Sequence, residues 1–141
     1  MTADAERLRG ALVLATAQTA LGGEASLFLQ LDAVALLATP LAAPEDAAHQ
    51  AAGLPTLAEL LAEALDMGVA LIACQSGLAL SGLSADTLPA GVEIGGPLSF
   101  LQQTDDAARL PSAHEALVGA VVVSPPGSTI ERLPLVIDRL A

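Results

Sequence analysis

Short apolar runs alternate along this chain with longer segments whose apolar residues recur every three or four positions. Uninterrupted apolar runs lie within residues 24–30, 69–74 and 117–124. Such runs are typical of strands that are buried on both faces of a parallel sheet. A shorter strand is expected at residues 91–96.

Helical periodicity precedes two of these strands. Residues 4–21 carry one mostly apolar face and are followed by a glycine pair that ends the helix; the residues on this face are Leu8, Leu12, Ala15 and Thr19. A second helix begins after Thr56, whose spacing from Glu59 is that of a capping box, and runs through Met67.

Shorter helices are expected after the later strands. One occupies about residues 75–83, and Pro97 opens another that runs to about residue 110, since proline is favoured in the first helical turn. Residues 31–38 fit either a continued strand or a short helical turn.

The end of the chain predicts a turn and a terminal helix within residues 125–141. Ser128 and Glu131 have capping-box spacing there, although Pro134 would strain the interior of that helix.

Helices that alternate with apolar strands predict an α/β fold, and we expect a three-layer αβα sandwich around a mostly parallel sheet of about four to five strands. Residues 1–141 suit a single domain. Residues 39–55, with three prolines, form the most open region. A connection of this length is either a lid or binding loop, or is disordered without function.

Composition narrows the class of protein. Apolar residues make up 53% of the chain, but Phe28 and Phe100 are its only aromatics. Because small side chains bury little area each, neighbouring subunits are expected to cover part of the apolar surface. A formal charge of −11 argues against binding to nucleic acids or anionic membranes.

Two segments superficially suggest a membrane or export. The stretch between Asp66 and Asp86 has no charge, but its glycines and serines make it a poor membrane span. The N-terminal segment loosely resembles a signal peptide. The first region of a signal peptide is positively charged, however, and Asp4 and Glu6 are acidic. We therefore expect a cytoplasmic protein.

Metal and cofactor sites are not predicted. The one cysteine forms no intramolecular disulfide, which suits a reducing compartment, and no Cys/His spacing resembles a zinc site. His49 and His114 are isolated, and each is expected to be solvated or structural rather than a ligand or base.

Cys74 is the candidate for chemistry. It is the last residue of the run 69–74 and directly precedes a predicted helix. Ligands of parallel α/β sheets bind at such strand ends. The unpaired N–H groups at the start of a helix also favour a thiolate. Gln75 and Ser76 could hydrogen-bond to the sulfur, and Gly77 permits close backbone approach. The alternative is that Cys74 is a small buried hydrophobe.

Three segments resemble the DsrE/DsrF-like family. Residues 9–37 are similar to its first helix and second strand, residues 68–83 to its cysteine segment, and residues 88–104 to the strand and helix after it. The resemblance implies a small α/β sandwich that forms trimers or hexamers. It also implies sulfur relay, with Cys74 at the position that carries a persulfide between donor and acceptor proteins.

Both ends of the chain depart from this family. Relatives open with a strand before the first helix, which is missing here, and residues 110–141 have no counterpart. The run 117–124 either fills the place of the missing strand or is the usual last strand of a sheet that is one strand short.

The leading hypothesis is therefore a sulfur carrier that uses Cys74, with access gated by residues 39–55. Its rival is a non-catalytic oligomeric binding or scaffold domain in which Cys74 is structural. A third, weaker hypothesis is a small-molecule pocket at residues 74–77 without covalent chemistry.

Overall fold

A computed structural model of the chain describes residues 5–39, 41, 43–103, 117–124 and 133–138, and the last two ranges by their backbone alone. Helical elements separate the first four strands of the described part. In chain order the main elements are α1 (Ala5–Ala20), β1 (Glu24–Leu29), a 3-10 helix (Leu31–Leu37), α2 (Asp46–Ala51), α3 (Leu57–Asp66), β2 (Ala70–Cys74), α4 (Gln75–Ser81), β3 (Glu93–Gly95), α5 (Pro97–Gln103), β4 (Leu117–Ser124) and β5 (Leu133–Asp138).

The strands form a sheet in the order β3-β2-β1-β4-β5. Strands β1, β2 and β3 are parallel, with Leu29 opposite Ala73 and Cys74 opposite Gly95. Strand β4 pairs antiparallel with β1, on the side away from β2, and β5 pairs antiparallel with β4. The α/β class and the parallel arrangement of the first three strands are confirmed, while the three-layer sandwich stays a prediction.

The two central parallel strands are covered on both faces. Consecutive side chains of a strand point to opposite faces, and Leu27, Phe28 and Leu29 are all buried. The same holds for the four consecutive residues from Leu71 to Cys74. The uninterrupted apolar runs predicted this double coverage.

Helix α3 begins as its sequence predicts. The Glu59 N–H donates to Thr56 Oγ1 at 3.2 Å, and the Thr56 N–H donates to the Glu59 carboxylate at 2.7 Å. This capping box satisfies two N–H groups that the first turn would otherwise leave unpaired. Beyond the helix, Gly68 has a φ of 92°, a conformation that glycine adopts readily.

The predicted terminal helix is wrong for residues 133–138, which form β5. Pro134 lies opposite Val122 in this strand at the edge of the sheet, where a missing N–H is tolerated. The alternation of Leu133, Leu135 and Ile137 with their neighbours fits a strand period of two. The two capping-box residues that favoured a helix lie outside the described residues.

Two other segments are more regular than expected. Residues 39–55 contain the short helix α2, so this region is not an irregular loop throughout. The ambiguous segment after β1 is helical, as one of its two alternatives predicted. Helix α5 is described to Gln103, and its predicted extension to residue 110 lies outside the described residues, as does His114.

Helix α4 packs tightly against the 3-10 helix through Gly77. A Cβ atom at Gly77 would lie 2.5 Å from Val34 Cγ2 and 2.6 Å from the Leu31 carbonyl oxygen. Neither contact is sterically possible without a shift, and one of them is to backbone. Glycine at this position therefore sets the distance between the two helices.

Replacing Gly77 by alanine is expected to destabilise the fold by about 1–3 kcal/mol, because the added Cβ forces the two helices apart. Gly10→Ala is the matched control, since no neighbouring heavy atom lies within 4 Å of its Cβ position. That control is expected to be neutral or stabilising by up to about 1 kcal/mol. Urea unfolding followed by circular dichroism measures both, and equal stabilities would contradict this packing.

Candidate functional site

Cys74 lies at the junction of β2 and α4. It is the last residue of the strand and the N-cap residue of the helix, with extended backbone angles and no side-chain capping hydrogen bond. Its thiol is free, and the residue is 4% exposed. The sequence prediction of its place at the end of a buried strand is confirmed.

The parallel register brings other residues to the same edge of the sheet. Leu29, the last residue of β1, is opposite Ala73, so β1 ends at this edge and Gln30 directly follows it. On the other side, Gly95 is the direct partner of Cys74 in β3. The edge at which ligands bind in parallel α/β sheets thus contains Gln30, Cys74 and Gly95.

The side chain of Cys74 belongs to a definite face of the sheet. Residues two apart in a strand share a face, and so do partners in the parallel register. Cys74 therefore shares its face with Ile72, with Gly95 and with Phe28, which is opposite Ile72. Phe28 stacks on Phe100 of α5, with ring centroids 4.8 Å apart and 12° between the planes.

The three residues predicted to surround the sulfur have different environments. Gln75 and Ser76 are exposed at the start of α4, and their role as ligands to sulfur stays a prediction. Gly77 does permit close backbone approach, and the group that approaches it is the 3-10 helix.

Sequence reasoning missed two features of this edge. Leu31, which directly follows Gln30, has a φ of 50° and is the one described residue other than glycine with a positive φ. Leucine rarely adopts this conformation, so nothing in the sequence indicated it. Ser99 was also missed, and its Oγ accepts from the Gly96 N–H at 3.0 Å.

An ion-pair network fixes part of the segment that was predicted to gate access. Arg9 of α1 is buried, and its guanidinium donates to Asp46 Oδ1 at 2.6 Å, to the Pro55 carbonyl at 2.8 Å and to Glu6 at 3.1 Å. His49 of α2 contacts the same Glu6 carboxylate at 2.9 Å. Helix α2 is thereby tied to α1.

Asp46 is the centre of this network. Its carboxylate accepts from the Ala43 N–H and from the Leu57 N–H, each at 2.9 Å, as well as from Arg9. The Ala43 hydrogen bond lowers the pKa of Asp46, burial opposes it, and the Leu57 and Arg9 hydrogen bonds lower it further. The carboxylate therefore holds residues 43–57 in place, and their proposed gating of Cys74 stays a prediction.

The described part of the chain contains no group of three or more His, Cys, Asp or Glu side chains that could hold a metal ion. Within the same residues, no helix combines the length and the apolar character needed to cross a membrane.

A family model for the DsrE/DsrF-like family matches residues 1–110. The chain belongs to the DsrE/DsrF-like family. The match spans the elements from α1 to α5, including Cys74, and the resemblance of the sequence to this family is confirmed. Strands β4 and β5 lie beyond it. The DsrE/DsrF-like family is associated with sulfur relay, and no curated protein matches the chain.

Asp46→Asn is expected to destabilise the protein by about 1–2 kcal/mol at pH 7, because Arg9 loses a charged partner. The pKa of Asp46 is lowered in the fold. Its charge therefore stabilises above the unfolded pKa, and this stabilisation is lost as the pH falls through the folded pKa. Urea unfolding at several pH values should show the difference from wild type narrowing below about pH 4.

The matched control for this experiment is Glu63→Gln, which removes a charge from the exposed side of α3. A surface change of this kind is expected to alter stability by less than about 0.5 kcal/mol. If both variants behave alike at pH 7, Asp46 does not hold the segment as described.

Proposed function

We propose that this protein carries sulfur as a persulfide on Cys74 in the reducing cytoplasm. Membership of a family associated with sulfur relay supports this proposal most strongly. The sequence also contains only one cysteine, so the carrier role has a single candidate residue.

The chemistry needs only thiolates and a sulfane sulfur. The Cys74 thiolate attacks the outer sulfur of a donor's persulfide, forming a new S–S bond while the donor's own S–S bond breaks and its thiolate leaves. In the second step an acceptor thiolate attacks the outer sulfur of the Cys74 persulfide. The bond between this sulfur and Cys74 breaks, and Cys74 leaves as a thiolate. No electrons enter or leave overall.

The position of Cys74 suits this reaction in two respects. As the N-cap residue of α4, it lies next to the N–H groups of the first helical turn, which favour negative charge. Gln75 and Ser76 follow it directly and are exposed, so their side chains are available to hydrogen-bond to a sulfur anion. No cofactor or metal is needed.

Burial of Cys74 favours the second candidate function. At 4% exposure, its environment is that of a small core side chain. In this alternative the domain is a non-catalytic oligomeric scaffold, and replacement of Cys74 affects packing alone. The two candidates differ in whether the thiol of the folded protein reacts.

Incubation with a persulfide donor, followed by intact-protein mass spectrometry, tests the carrier role. We expect a gain of about 32 Da on the wild type, corresponding to one sulfur atom, and none on Cys74→Ser. A known carrier treated in parallel shows that the donor is competent. No adduct on wild type, with the known carrier loaded, would favour the scaffold.

We also propose that the protein is a homo-oligomer, a trimer or hexamer, which meets separate donor and acceptor proteins. The support is apolar surface that the chain leaves exposed, with Leu21 71% and Leu98 70% accessible. Sedimentation velocity at several concentrations is expected to show three or six copies, and a monomer at all concentrations would contradict this.

A further inference from the structure

The thiol of Cys74 is covered although its neighbours in sequence are not. Cys74 is 4% exposed, whereas Gln75 and Ser76 are both exposed at the start of α4. A persulfide carrier must present its sulfur to two partners in turn. Some element that covers the face of Cys74 must therefore move.

The strand register identifies the face that has to open. Cys74 shares it with Ile72, Gly95 and Phe28. A Cβ atom at Gly95, which would point to this face, would lie 3.2 Å from Ile72 Cγ2 and 3.2 Å from Ser99 Oγ. Ser99 of α5 is thus positioned over the residue paired with Cys74.

Helix α5 also contacts this face of the sheet at β1. It begins two residues after Gly95, and the ring of its Phe100 stacks on Phe28 of β1. Two contacts, one at Gly95 and one at Phe28, therefore place α5 over the Cys74 side of the sheet.

Among the side chains of α5 that the structure describes, few are buried. Phe100 is buried, whereas Pro97, Leu98 and Gln102 are exposed. The start of the helix is held by Ser99, whose Oγ accepts from the Gly96 N–H at 3.0 Å and donates to the Gly96 carbonyl at 2.9 Å. A helix of seven residues is not stable by itself, so its position depends on these contacts.

Helix α4 is less able to move. Gly77 brings its backbone into close contact with the 3-10 helix Leu31–Leu37. Because α4 directly follows β2, displacement of α4 would disrupt both this packing and the last residues of β2. Short segments with few buried contacts open more readily than closely packed ones.

We propose that α5 is a gate over Cys74, held closed by the Phe28–Phe100 stack and by the Ser99–Gly96 hydrogen bonds. Its use in sulfur transfer rests on the function proposed above, but the gate itself concerns only access to the thiol. Local detachment of α5 exposes Cys74 while the rest of the sheet stays folded.

Alkylation of the native protein with iodoacetamide, followed by mass spectrometry, tests the gate. Phe100→Ala and Ser99→Ala are expected to speed Cys74 labelling at least tenfold and severalfold, respectively. Gln102→Ala is the matched control, because Gln102 is on the same helix and its side chain is exposed; it should label at the wild-type rate. Equal rates in all four proteins would overturn the proposal, as would fast labelling of the wild type.

Low concentrations of urea separate local opening from global unfolding. If only α5 detaches, the rate of Cys74 labelling should rise weakly with urea, because little new surface meets the solvent. If labelling requires global unfolding, the rate should rise steeply with urea. A steep dependence in the wild type and in Ser99→Ala would overturn the gate. This comparison remains decisive if Phe100→Ala does not fold, since Ser99→Ala removes no core side chain.

The gate and the carrier role can fail separately. If Ser99→Ala labels rapidly but gains no sulfur from a persulfide donor, the gate stands and the carrier role fails. If the wild type gains sulfur on Cys74 at the same rate as Ser99→Ala, the carrier role stands and the gate fails.

Discussion

Parallel pairing of β1 with β2, with apolar side chains on both faces of each strand, is the constraint on which the rest of the structure depends. It aligns the ends of the two strands, with Leu29 opposite Ala73, the residue before Cys74. Burial of consecutive residues from Leu71 to Cys74 requires cover on both faces. Both faces of these strands therefore have to be covered, and the connections that follow β1 and β2 both start at the edge that carries Cys74.

Small residues make this cover possible in a chain with two aromatics. Where Gly77 meets the 3-10 helix, the absence of a side chain lets the helices approach closely. Phe28 and Phe100, the only aromatic residues, are stacked on each other and join α5 to β1. A chain that is otherwise rich in Ala, Leu and Val thus places its two aromatic side chains together, on the face that carries Cys74.

Elements governed by short-range rules could be predicted from the sequence. The capping box at Thr56 and the buried run that ends at Cys74 depend on residues close together in the chain. Contacts between distant residues could not be predicted, such as the pairing of Arg9 with Asp46, 37 positions apart. Capping-box spacing at Ser128 and Glu131 favours a helix near the end of the chain, whereas residues 133–138 form β5, an edge strand that tolerates Pro134. The φ of Leu31 had no sequence signal.

The burial of Cys74 and the carrier role proposed for it place opposite demands on the fold. A covered thiol is protected from oxidants and alkylating agents, because oxidation follows exposure as well as thiolate character. A carrier, however, has to meet its donor and its acceptor at the same sulfur. Both demands are met when the cover is a short helix held by few contacts and the cysteine itself is fixed in a strand. The described contacts of α5 and α4 have this asymmetry: α5 is held by one aromatic stack and one serine, while α4 is packed backbone against backbone.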